Sequence, residues 1–248
     1  MVRHLMKKEE IAIIDGGVTM DFSKHKHVVV IYPHPDDESF GTAGTITKFR
    51  QAGVPVTYLC GTLGEMGRNM GQPTFANRES LPEIRKEELQ NACEVLDMDL
   101  VMLGLRDKTI EFESRDEIAE RLKKYIEQLE ATLVITFYPP YAVHPDHDAL
   151  GAAAFEAVKR IDKNKRPELW ANAFIANRED YIGHPDIVID TIDVFDTKVK
   201  ALEQHRSQVE GMLSQLTDGE KPVNKNERIL SRFQYETYYT VDVESVPF

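Results

Sequence analysis

The chain alternates short, continuous apolar runs with longer stretches of helical period, and that alternation restricts its fold more than any other feature. The runs are HVVVIY (27–32), VPVTYLC (54–60), DLVML (99–103), TLVITFY (132–138) and DIVID (186–190). They are β-branched and unbroken rather than strictly alternating, as strands covered on both faces are. Between them lie stretches such as DEIAERLKKYIEQLE, which sets Ile118, Leu122, Tyr125, Ile126 and Leu129 on one helical face. Strand, helix and strand at this spacing imply right-handed crossovers and a mostly parallel sheet. The expected fold is therefore α/β and Rossmann-like, with helices on both faces of the sheet. Further strands are expected in WANAFIAN (170–177) and QYETYYTVDV (234–243). No low-complexity linker divides the chain. Residues 27–248 are expected to form one domain behind an N-terminal extension, 1–26, which reads as a short strand pair or a disordered leader. His25 and His27, near that terminus, are expected to be solvated.

A parallel sheet of this kind binds ligands at the carboxyl ends of its strands. Two turns are expected at that edge, in YPHPDDESFG (32–41) and AVHPDHDALG (142–151), and in both a glycine follows seven residues after the histidine of His-Pro-Asp. The first turn offers His34 and Asp37; the second offers His144 and His147 at the same spacing. Three ligands drawn from these four, with one position left open, are what a catalytic zinc site requires. Asp36 then sits beside the metal. The bland alternative is a turn in which Asp caps the following helix. A third copy, His184-Pro185-Asp186, leads into a strand and reads as such a structural turn. No glycine-rich phosphate fingerprint follows the first strand. The helical J-domain, whose His-Pro-Asp lies between two helices, does not suit tripeptides that follow β-runs.

Composition removes other classes. Against 42 acidic side chains stand 30 basic ones, a formal charge of −12 with no basic stripe, so nucleic acid is not an expected partner. Cys60 and Cys93 are too few for a disulfide framework and suggest a reducing compartment. No run approaches the roughly 18 apolar residues of a membrane span, and the N-terminus has no apolar core suited to a secretory signal. The expected location is the cytoplasm, away from membranes.

HPDDE after the first strand and HPDH after a later one resemble the zinc-dependent GlcNAc de-N-acetylases, the LmbE-like or PIG-L family. TLGEMG, IRKEEL and KVKALEQHRSQ follow in the family's order, so the resemblance covers about residues 27–213. TLGEMGRNMG, FANRE, LGLRDKTIEF and TFYP…VHPDHDA look closest to its bacillithiol-pathway branch. The resemblance implies that His34, Asp37 and His147 hold Zn²⁺, although two imidazoles and a carboxylate also suit Fe²⁺. It implies Asp36 as general base, a protonated His144 sharing the oxyanion's charge, and Asp146 holding that imidazolium. Arg85 and Asp107 match sugar-binding positions, Arg68 falls where an aglycone is read, and Glu88 is expected to tether its helix. The implied substrate is a small amino sugar, GlcNAc-malate in bacillithiol biosynthesis. The alternatives are an amidase acting on bacillithiol S-conjugates and a metal-holding protein without turnover. Relatives that assemble as trimers or hexamers imply a homo-oligomer. His205 shares a helical stripe with Val199, Leu202, Val209 and Met212, and reads as a buried structural histidine or a site residue. Cys93 is expected in the core, and Cys60 near the site without a ligand role.

Overall fold

The computed structural model describes residues 20–68, 71, 73–210 and 233–246. The expectation for residues 1–19 lies outside them. Strands β1 (Val28–Tyr32), β2 (Val56–Cys60), β3 (Asp99–Met102), β4 (Leu133–Phe137), β5 (Glu168–Asn172), β6 (Ile187–Asp190) and β7 (Tyr235–Thr240) form one sheet in the order β3-β2-β1-β4-β5-β7-β6. Only β7 runs against its neighbours, wedged between β5 and β6. The other pairings, β1 with β2 and β4, β2 with β3, and β4 with β5, are parallel.

Every residue of β1 is buried, which is why its sequence is an unbroken apolar run. The two-residue period still divides it. Val28, Val30 and Tyr32 join one core, with Ile46 and Phe49 of α2 (Ala43–Gln51) and Leu89 and Cys93 of α3 (Leu81–Val95). Val29 and Ile31 join the other, with Ile118, Leu122 and Ile126 of α4 (Arg115–Gln128) and Ala153, Phe155 and Val158 of α5 (Pro145–Lys159). The helix read from DEIAERLKKYIEQLE is thus α4, started by Ser114, whose hydroxyl accepts from the Glu117 amide. A five-residue α1 (Asp37–Gly41) opens directly after β1. The four-residue α6 (Glu179–Ile182) and then α7 (Phe195–Gln204) complete the helices used below. Among the described residues no helix is long and apolar enough to cross a membrane.

Three local expectations change. The β5 run stops at Asn172, because the Phe174 and Ile175 amides donate to the Tyr141 carbonyl instead of extending a ladder. His25 is not solvated: it is 5 % exposed and meets the rings of Phe49 and Trp170 edge-on, at 5.6 and 5.8 Å. His27 is half-buried and bonded through Nε2 to the Thr57 hydroxyl. The third His-Pro-Asp copy is structural, since Asp186 accepts from the amide and hydroxyl of Thr240 and so pins the start of β6 to the end of β7.

Candidate active site

The first His-Pro-Asp turn leaves β1 and enters α1 in a tight, strained path. Asp36 has φ 95°, a left-handed conformation that costs a side-chain-bearing residue energy. It occupies the N-cap position of α1, yet its carboxylate makes no capping bond. Oδ2 instead accepts from Arg85 at 3.1 Å. The Asp36 amide donates to Oε2 of Glu38 at 3.0 Å. The next carboxylate, Asp37, accepts from the His34 amide at 2.9 Å, and the Tyr58 hydroxyl holds the His34 carbonyl at 2.7 Å.

The second turn joins β4 to α5. His144 is the N-cap of α5 and its Nδ1 accepts from the Asp146 amide at 3.1 Å, so a neutral ring carries its proton on Nε2. Just before it, Val143 has φ 74°, an outlier for a β-branched residue. One helical turn on, His147 directs Nδ1 at the Ala142 carbonyl, 2.9 Å away. That bond requires the proton on Nδ1 and leaves Nε2 bare.

The two turns meet because β1 and β4 are adjacent. His34 Nδ1 lies 3.1 Å from His147 Nε2 and 3.4 Å from Asp37 Oδ2, and His147 Nε2 lies 3.3 Å from Asp37 Oδ1. The far nitrogen of His34, Nε2, faces two carboxylates, Asp107 at 3.2 Å and Asp146 at 3.3 Å, so its proton belongs there. In neutral rings Nδ1 of His34 and Nε2 of His147 are then both lone-pair donors, pointed at each other with a carboxylate beside them. Such a set favours a cation. An ion with ligand bonds of about 2.0–2.2 Å sets tetrahedral neighbours roughly 3.3–3.6 Å apart; the two carboxylate distances fall in that range, one to each Asp37 oxygen, and the two ring nitrogens stand slightly closer. His144 also comes within metal-ligand range of His34 and His147, with Nδ1 engaged as the helix cap and Nε2 outside it, and His34, Asp107 and Asp146 form a second such group. The two turns thus bring His34, Asp37, His144 and His147 to one point.

The surrounding carboxylates favour positive charge at this point, on the rings themselves when no metal is bound. In the metal-free protein, burial opposes charge on His34, but the carboxylates of Asp107, Asp146 and Asp37 outweigh it and hold the ring's pKa well above its usual value. His147 is raised likewise, against burial, chiefly by Asp37. Asp37 resists burial through the same two histidines and titrates well below an ordinary carboxyl. Asp36 goes the other way: burial pushes its carboxyl up to about 6, against the pull of Arg85.

Several expected site residues take other partners. Asp146 does not hold His144 through its carboxylate. It is fully buried, accepts from the amides of Lys108 (2.6 Å) and Ile110 (3.1 Å), and steadies His34. Nor is His144 set up as a cation, since burial and the adjacent His34 and His147 lower its pKa. Asp107 is 3 % exposed, accepts from the Met66 amide and faces His34. Arg85 is 4 % exposed and packs beneath the first turn, donating to the carbonyls of Pro35 and Gly64. Arg68 is exposed, its carbonyl held by Gln208. Glu88 ties α3 to the amide and hydroxyl of Ser207. Cys60 and Cys93 are buried. His205 is fully buried and bonds Glu38, a residue the sequence did not single out because it reads as the third member of an acidic run.

Residues 29–158 match the family described as GlcNAc-PI de-N-acetylase, PIG-L. The chain is 50 % identical to the probable N-acetyl-alpha-D-glucosaminyl L-malate deacetylase 2 of Bacillus subtilis over 217 residues, 87 % of this chain and 97 % of that one. Its fold resembles the N,N'-diacetylchitobiose deacetylase of Pyrococcus horikoshii with a TM-score of 0.70 at 23 % identity, covering 100 % of this chain and 98 % of that one. The 4-carboxy-2-hydroxymuconate hydratase of Pseudomonas putida also shares the fold, at TM-score 0.65 and 18 % identity over 88 % and 96 % of the two chains. The fold therefore supports more than one reaction, and the site has to carry the argument about chemistry.

Proposed function

The chain belongs to the GlcNAc-PI de-N-acetylase (PIG-L) family, and we propose that it removes the acetyl group of N-acetylglucosaminyl L-malate with zinc held by His34, Asp37 and His147. It is a metal-dependent N-deacetylase. The observation that carries the zinc-site reading is the convergence of two imidazole nitrogens and a carboxylate beside a second, strained carboxylate. The malate-bearing substrate is supported by the name of the Bacillus subtilis relative.

Bound zinc would supply Lewis acidity and lower the pKa of water to about 7. The remaining work falls to the chain. Asp36 takes the proton of the attacking water; burial lifts its carboxyl to about 6 in the metal-free protein, against the pull of Arg85, and so favours its holding a proton. Arg85 fixes Oδ2 and leaves Oδ1 for that proton. Neutral His144 offers its Nε2–H to the oxygen that gains negative charge when the acetyl carbonyl becomes tetrahedral. Asp36 then returns its proton to the departing amine nitrogen, so the C–N bond breaks to give acetate and a free amino sugar. Asp107 and Asp146 orient His34, as carboxylates behind metal-bound histidines do.

The test is amine release by the metal-loaded protein, offered N-acetylglucosaminyl malate beside a bacillithiol S-conjugate. The malate substrate is expected to be preferred. Asp36→Asn is expected to keep its metal and lose roughly 10²- to 10⁴-fold in rate. Preference for the conjugate would make the protein an amidase, and no turnover of either with metal bound would remove the substrate assignment.

A further inference from the structure

We propose that Glu38 and His205 are a positioning pair that locks the backbone of Asp36 and thereby aims its carboxylate. The inference rests on Asp36 being the general base of the deacetylase reaction.

Glu38 is completely buried and its carboxylate is fully used. Oε1 accepts from the Ser39 hydroxyl (2.6 Å) and from His205 Nε2 (2.7 Å), while Oε2 accepts from the Asp36 amide (3.0 Å). A buried carboxylate is expensive to desolvate, and an apolar side chain would fill the space without that cost. What an apolar residue lacks is an acceptor for the Asp36 N–H. That N–H belongs to the residue at φ 95°, a conformation that persists only where its surroundings over-determine it. The same backbone twist leaves Asp36 at the N-cap of α1 without the capping bond such a residue normally makes. Its carboxylate turns to Arg85 instead. Glu38 thus stabilises the strained conformer, and His205 keeps Glu38 in place.

His205 is well suited to that part. It is fully buried just past the end of α7, and the residues after it are anchored independently. Ser207 bonds Glu88 of α3 through amide and hydroxyl, at 2.7 and 2.6 Å, and Gln208 holds the Arg68 carbonyl at 3.0 Å. A ring braced in this way transmits the position of α3 and α7 to the first His-Pro-Asp turn.

The experiment compares Glu38→Ala, Glu38→Gln and His205→Leu. Each metal-loaded variant is assayed well below its melting temperature, with metal content measured alongside. Glu38→Ala is expected to lose about 10²-fold in kcat, with KM and metal content unchanged. Glu38→Gln, whose amide oxygen still accepts from the Asp36 N–H, is expected to recover most of that loss. If Glu38→Ala does not fold, His205→Leu carries the test through the same split of kcat from KM. Unchanged kcat in Glu38→Ala or His205→Leu, or a loss that tracks metal release, overturns the proposal. A readout without turnover separates it from the deacetylase reading: the Asp36 amide should exchange with solvent slowly in the unaltered protein and in Glu38→Gln, and fast in Glu38→Ala. Inactivity of the unaltered protein would remove the reaction, whereas equal exchange in all three would remove the lock.

Discussion

The two glycines that follow the paired turns are equivalent in sequence and differ in structure. A Cβ on Gly151 would press on the Phe137 carbonyl oxygen at 2.5 Å, because α5 packs directly against the end of β4. A Cβ on Gly41 would meet only the Phe174 ring and the Tyr32 hydroxyl, at 3.7 and 3.8 Å, ordinary contact distances. Gly151→Ala should therefore destabilise by about 1–3 kcal/mol, the usual range for overpacking. Gly41→Ala should stay within about 0.5 kcal/mol of the unaltered protein. Urea melts of the two variants decide this, and similar losses would contradict the packing argument. Asp146 gives a second prediction at this scale. Its carboxylate receives three donors, two backbone amides and His34 Nε2, so Asp146→Asn replaces an acceptor by an N–H facing one of them. Loosened support behind a ligand histidine typically weakens metal binding about 10- to 100-fold. Competition with a chelator should show that loss for Asp146→Asn, and unchanged affinity would mean that Asp107 suffices to orient His34.

At the scale of elements, the unforeseen part is how β7 and α7 are held. Helical period places Val199 and Leu202 on the apolar stripe of α7. The structure buries Lys198, Ala201 and Leu202 and leaves Val199 half-buried, while Met212 lies outside the described residues. The cause is Glu236 on β7. One of its oxygens accepts from the Gly44 amide and the other from the Thr45 amide, so it serves the N-terminus of α2, and Lys198 binds it at 2.6 Å. Lys198 and Glu236 side chains are 1 % and 2 % exposed. Neither position can be read from the pattern of α7 or β7 alone, because Lys198 is paired across the fold with Glu236, which the Gly44 and Thr45 amides also hold. Removing one partner leaves a buried, uncompensated charge. Lys198→Met is therefore expected to cost about 3–5 kcal/mol even though methionine fits an apolar stripe. Pairing it with Glu236→Gln should return part of that loss. Denaturant melts of the single and double variants measure the coupling, and additive losses would show that the two side chains act independently.

At the scale of the whole molecule, the legible and illegible parts separate by range. The sheet order reverses at β1, with β2 on one side and β4 on the other, so the turns after β1 and β4 open side by side at one edge. Both turns announce their strand-to-helix context locally, which is why the meeting of His34, Asp37, His144 and His147 was legible in the sequence. The insertion of β7 between β5 and β6 has no such local signal, since it pairs Tyr239 with Ala171 and Glu236 with Ile189 across long separations. The opposite, N-terminal edge of the sheet was misread for a related reason. His25 looks like a terminal residue in sequence, but α2 and β5 close over it. The two edges should consequently respond to acid in opposite senses. In the metal-free protein, the raised pKa values of His34 and His147 favour the folded state at low pH. Burial depresses the pKa of His25, against the nearby Glu168 and with Lys24 adding to the shift. Below an unfolded value of about 6.5 the unfolded chain binds the His25 proton more readily. The stability this histidine contributes is thus present above that pH and lost as the pH falls toward its folded pKa. His25→Leu removes that loss while filling the space between Phe49 and Trp170. Urea melts of both metal-free proteins between about pH 7.5 and pH 5 should show the variant gaining on the unaltered protein as the pH falls below about 6.5. Parallel curves would mean that the buried ring accepts a proton without penalty.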